Sequence, residues 1–139
     1  MTSIFSSSRA DAALLLVRLV VGAVFVAHGV QKVFVFGLGG VTGGFVQMGI
    51  PIPQVAAPVV AFVELLGGAA LVLGVFTRIA GVLLAIDMLG AMYFVHLKNG
   101  FFLPGGVEFP LTLCAVTVAL AISGAGSYSI DSLIARRRG

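Results

Sequence analysis

An all-α integral membrane protein, built as a bundle of four transmembrane helices, is the fold class this sequence predicts. Three observations carry that expectation. Only 9% of the 139 residues are charged while 60% are hydrophobic, with mean hydropathy +1.19; soluble domains carry about 25% charged residues, so lipid must solvate much of this chain. The apolar residues also fall into four runs of helix length, cut by clusters of glycine and proline. Each run carries an ionisable group that anchoring alone does not require. At about 20 apolar residues per crossing, residues 1–139 accommodate four spans with short connections as one domain.

Residues 1–10 are short and mostly polar, and Ser8-Arg9-Ala10-Asp11 fits a capping box. The first span is expected over residues 12–36. A signal peptide competes for this run, but Arg18 interrupts it and apolar character continues past Ala27, which favours a retained span. Arg18, Gly22, Phe25, Gly29, Lys32 and Phe36 share one stripe of that helix, and His28 stands one turn before Lys32. Lys32 alone has an ordinary explanation, snorkelling to the headgroups. Arg18, two turns inside, does not.

Residues 37–54, GLGGVTGGFVQMGIPIPQ, hold six glycines and two prolines and so cannot form a continuous transmembrane helix. A short interfacial turn over 43–48, capped by Thr42, is the most structure expected there. Connections of this length are often lids or binding loops. The glycines match no phosphate-binding fingerprint, since no lysine-serine pair or preceding strand accompanies them.

The second span, residues 57–75, carries Glu64 near its middle. Ala57, Ala61, Gly67 and Gly68 lie at −7, −3, +3 and +4 from it, on the face where membrane helices approach closely. Thr77-Arg78 forms a tight turn into a third span, residues 79–97, with Asp87 at mid-length and Ala80, Gly90, Ala91, Phe94 and Lys98 on its face. His96 is half a helical rotation from Asp87, so an interfacial role competes with membership of a core site. Residues 98–106 form a second loop in which Phe101 and Phe102 are expected interface anchors. The fourth span covers residues 107–123, with Glu108 leading a stripe of Thr112, Ala115 and Ala119; Pro110 is tolerated in its first turn. Glu108 also has a bland reading, as a carboxylate favoured by a helix N-terminus. Gly124-Ala125-Gly126 stops this helix. Ser129 can then cap a short amphipathic helix that lays Ile130, Leu133 and Ile134 on the membrane surface.

With four spans, both termini and the Thr77-Arg78 turn share one side. That side carries Arg9, Arg78 and Arg136 to Arg138, against Lys98 and the boundary residue Lys32 on the other. Five basic residues against two place both termini in the cytoplasm of a multi-pass cell-membrane protein. The terminal arginines read as a topology signal attracted to anionic headgroups, and nothing is patterned for nucleic acid. Cys114 is the one cysteine, which excludes an internal disulfide, a CxxC pair or a cysteine metal site. Counted at about 1.5 Å per residue, depth groups His28, Lys32, Glu64 and Glu108 as an outer polar cluster. The same count pairs Arg18 with Asp87 in the inner half. Lys32, Glu64 and Glu108 would line a pocket entered between the two outer loops, with Phe101 or Phe102 closing it.

These residues also carry a resemblance. LLLVRLVVGAVFVAHGVQK, GFVQMGIP, VELLGGAALVLGVFTR, GFFLPGGVEFPLTL and GAGSYSID, taken together over residues 14–131, resemble the DoxX family of small four-span membrane proteins. The matching positions are Arg18, His28, Gly29, Lys32, Glu64, Gly67, Gly68, Arg78 and Glu108. The resemblance implies kinship with the membrane subunit of a thiosulfate:quinone oxidoreductase, and parts in membrane redox or assembly systems. Three functions follow as expectations. The first is a redox-associated subunit whose polar core binds a quinone or a small sulfur anion, with Lys32 and His28 as binding groups and Glu64 relaying a proton. Electrons would come from a protein partner, because no redox cofactor or metal site is evident in the residues. The second is a non-catalytic scaffold or assembly module whose buried charges fix helix packing. The third is a proton or solute path through the bundle.

Overall fold

The computed structural model describes residues 2–139, with side chains from residue 7 onward. Helix α1 (Thr2–Val30) runs on through a widened π-helical stretch, Gln31–Val35, into α2 (Gly37–Gln47). Helices α3 (Pro53–Leu73) and α4 (Thr77–Ala91) follow. Helix α4 continues through a second π-helical stretch, Met92–His96, and a 3-10 turn, Leu97–Asn99. Then come α5 (Glu108–Ser123) and α6 (Ile130–Arg138), with no strand among the described residues. Three helical segments, Ser7–Val35, Pro53–Leu73 and Thr77–Asn99, are long and apolar enough to cross a membrane; α5 is apolar but shorter. Leu16, Leu66, Ile86 and Ile122 are each at least 60% exposed, which is the pattern of a surface solvated by hydrocarbon.

The four long helices pack antiparallel, and glycine sets how closely. A Cβ on Gly29 would fall 2.5 Å from the Leu65 backbone nitrogen, and one on Gly68 2.7 Å from the Gly22 carbonyl oxygen, so α1 and α3 touch backbone to backbone. Gly81 does the same for α4 and α5, 2.7 Å from the Thr117 carbonyl oxygen. Helix α1 packs most extensively on α3, and α4 on α5. Leu84 of α4 lies over Gly67 of α3 and ties the two pairs together. The face of α3 expected from the small residues is the buried one: Ala57, Ala61, Glu64, Gly68 and Leu71 point inward.

Two expectations need correction here. The glycine-rich segment is not a loop with one turn but an 11-residue helix, α2. It is too short to span and is bounded by Gly37 and Gly49, both at φ 72°. Packing against α3, with Val41 buried, overrides the poor helix propensity of its glycines. Thr42 does not cap it; its hydroxyl donates to the Leu38 carbonyl one turn back. Nor does the first helix start at a Ser8 cap. Helix α1 already runs from Thr2, and Asp11 instead accepts from the Ser127 backbone N–H at 3.1 Å.

The end of the bundle that carries the chain termini is closed by side chains reaching across the sequence. Helix α4 opens at Phe76, a positive-φ residue with no side-chain cap of its own. Asp131 supplies the cap from the far end of the chain, accepting from the Phe76 and Thr77 backbone N–H groups at 2.8 and 3.0 Å. The backbone N–H of Asp131 donates to the Gly74 carbonyl, which α3 leaves free at its end. Arg78 does the corresponding work at the end of α5, donating to the carbonyls of Ala121, Ile122 and Ser123. Ser129 caps α6 as expected, accepting from the Ser132 backbone N–H.

Candidate functional site

Lys32 sits in the first π-helical stretch, where the helix widens by one residue per turn and its side chains shift relative to a regular helix. Its Nζ reaches Glu64 Oε2 at 2.5 Å, the one ion pair within 4 Å among the described residues. The two side chains are 18% and 6% exposed. The charge-assisted bond therefore lies inside the helix bundle, midway along α3. Glu64 also meets Asp87 of α4, carboxyl to carboxyl, with Lys32 close enough to act on both. Asp87 Oδ2 is buried and has no conventional hydrogen-bond partner. The π-helical continuation of α1, α3 and α4 thus each contribute one ionisable side chain to a single cluster.

The other expected members of the outer cluster stand apart from this contact. His28 is exposed, with its ring tilted against Phe109 at 6.2 Å between centroids. Glu108 is half-buried and turns back onto its own loop, accepting from the Leu103 backbone N–H at 2.7 Å. His96 likewise serves the loop, its Nδ1 donating to the Gly105 carbonyl at 2.8 Å, joined there by Asn99. Phe101 and Phe102 pack edge to face and are 51% and 75% exposed, so they do not close over the ion pair.

The expected Arg18–Asp87 pair does not form. Arg18 is fully buried at the termini end, where it donates to the Tyr128 carbonyl at 2.6 Å and lies in the field of Asp131. Its guanidinium rests on Gly74, where a Cβ would overlap Nη1. The depth count failed because it took residue 12 as the end of the bundle, whereas α1 begins at Thr2 and meets Gly74 only at Arg18, sixteen residues along. That places Arg18 level with the α3–α4 turn, while Asp87 lies ten residues, about 15 Å, further along α4.

An apolar groove of about 420 Å³ runs on the flank of α3, lined by Pro58, Phe62, Val63, Leu66 and Gly67 with Leu83 of α4. It begins beside Glu64 in sequence but is walled by hydrocarbon side chains.

Comparison with known proteins now places the chain. A family model described as DoxX matches residues 13–97, which takes in Arg18, Lys32, Glu64 and Asp87. The chain belongs to the DoxX family. A Bacillus subtilis relative named "Putative oxidoreductase CatD" is 35% identical over 120 residues, covering 86% of this chain and 85% of that protein. The Mycobacterium tuberculosis "Uncharacterized membrane protein Rv3486" is 32% identical over 133 residues, with 87% and 80% covered. The Escherichia coli "Inner membrane protein YphA" is 28% identical over 124 residues, with 85% and 87% covered. No solved structure matches the chain. This DoxX protein is a membrane protein, and Lys32 and Glu64 lie in two of its helical segments long and apolar enough to cross a bilayer. Ionisable residues in such a setting mark ligand or proton sites more often than they serve anchoring.

Proposed function

We propose that this DoxX protein is a membrane subunit of a redox system, quinone- or sulfur-linked, in which the Lys32–Glu64 contact forms a polar intramembrane site. One observation carries the reading: an ammonium and a carboxylate held at 2.5 Å inside an apolar bundle, with a second carboxyl against them. Lys32 is the group suited to a carbonyl oxygen or a small anion, and Glu64 to passing a proton. The oxidoreductase name of the Bacillus subtilis relative supports the redox association. Four spans with both termini in the cytoplasm belong to the same proposal. Helix α5 has 16 residues, about 24 Å of rise, and it pairs with α4 along its length.

Affinity purification from native membranes, followed by mass spectrometry of copurifying proteins and lipid-soluble molecules, tests this reading. It expects a redox enzyme subunit, a quinone or both, at a level that falls at least several-fold for Glu64→Gln. Purification with phospholipid and no redox partner or quinone would overturn it. A second reading, a non-catalytic scaffold, draws on a different observation. Arg18 is fully buried, and the one hydrogen bond found for it goes to Tyr128 at the docking segment before α6. On this reading the buried charge serves to fix helix packing.

A further inference from the structure

We infer that Glu64 and Asp87 together form a single-proton binding site, with Lys32 as its internal counter-ion. Two ionised carboxylates are acceptors only and cannot bond to each other. Glu64 and Asp87 nevertheless face one another, one turn along from where Leu84 of α4 packs on Gly67 of α3, and Asp87 Oδ2 is buried without any N–H or O–H donor from the protein. A proton on one carboxyl converts this acceptor–acceptor contact into an O–H···O bond and leaves no repulsion across it.

Lys32 contributes one positive charge, and the two carboxyls can contribute two negative ones. With one proton bound, the triad is neutral, which is the state that a lipid-solvated bundle favours. Without it, one uncompensated negative charge stays among apolar side chains. The other ionisable groups near this level are committed elsewhere or face outward. Cys114 of α5 donates to the Ala85 carbonyl, His28 of α1 is exposed, and Glu108 of α5 accepts from Leu103. Binding and release are simple in balance: one proton joins a carboxylate oxygen of the pair, and on release both carboxylates share the Lys32 ammonium. The site also links the two helix pairs of the bundle, because Lys32 belongs to the π-helical continuation of α1, Glu64 to α3 and Asp87 to α4. It stands independently of any redox partner.

Infrared spectroscopy of the purified protein in lipid nanodiscs tests the assignment. Wild type at neutral pH should show the carbonyl stretch of a protonated carboxylic acid, and the band should shift on transfer to deuterated water. Asp87→Asn and Glu64→Gln should each abolish it. Because an amide can donate across the same contact, either single variant should keep a melting temperature within a few degrees of wild type. The double variant, which strips Lys32 of both anions, should melt well below either. Absence of the band in wild type overturns the inference, as does a band that survives both single substitutions. If the band is missing and sodium chloride raises the melting temperature where choline chloride does not, the pair holds a metal cation, and the proton assignment is wrong.

Discussion

Glu64 holds the ion pair of the candidate site, and its neighbours define what its removal costs. Glu64→Leu would leave the Lys32 ammonium buried without its 2.5 Å partner. Breaking a buried pair from one side typically costs about 3–5 kcal/mol. Arg136→Gln removes a charge from an exposed last turn and should stay within about 0.5 kcal/mol of wild type. Melting temperatures in detergent would compare the two directly, and equal values would mean that the ion pair contributes nothing to stability. Lys32 and Glu64 were legible as partners from charge, spacing and small-residue faces. The companionship of Asp87 with Glu64 was legible too, by a count from the turn between α3 and α4. Residues 64 and 87 stand within one residue of equal distance from its midpoint at Val75, so a tight hairpin sets them at nearly one level. Measuring depth from assumed helix ends hid that symmetry. The fates of His28 and Glu108 turned on packing against Phe109 and on a loop amide, which no periodicity encodes.

At the scale of elements, the hydrophobic runs announced α1, α3, α4 and α5 because lipid demands length and apolarity together. Helix α2 was hidden for the opposite reason. Its glycines carry no helical signal, and only contact with α3 holds it in shape. The two π-helical stretches, at Gln31–Val35 and Met92–His96, were equally invisible, since nothing in their composition distinguishes them from ordinary helix. The start of α4 shows how an element can depend on a residue outside it. Asp131→Ala would leave the Phe76 and Thr77 N–H groups without their acceptor and weaken the hold of α6 on the α3–α4 turn. A lost cap costs about 0.5–2 kcal/mol. The variant should therefore show faster amide hydrogen exchange at Phe76, Thr77 and residues 127–132, with α1 unaffected at Lys32. Unchanged protection at Phe76 and Thr77 would show that Asp131 is not the working cap.

For the whole molecule, orientation is the first question an experiment can settle. The five basic residues Arg9, Arg78 and Arg136 to Arg138 gather at the termini end, with Lys32 and Lys98 toward the other. The bias of basic residues sets orientation in short-looped membrane proteins. A reporter fused after Gly139 should read cytoplasmic and one inserted at Gly49 should read the opposite side. The reverse result would invert the site as well as the termini. The bundle's closure also has an order in time. Chains emerge from the N-terminus first, so Arg18 enters the membrane more than a hundred residues before Tyr128 and Asp131 exist to receive it and to cap α4. Until then its guanidinium must borrow water or headgroups, and the α3–α4 hairpin stays open at one end. The last segment to be made thus acts as a fastening for the first, and a chain that stalls before residue 128 carries an unsealed bundle with a charged side chain at the breach.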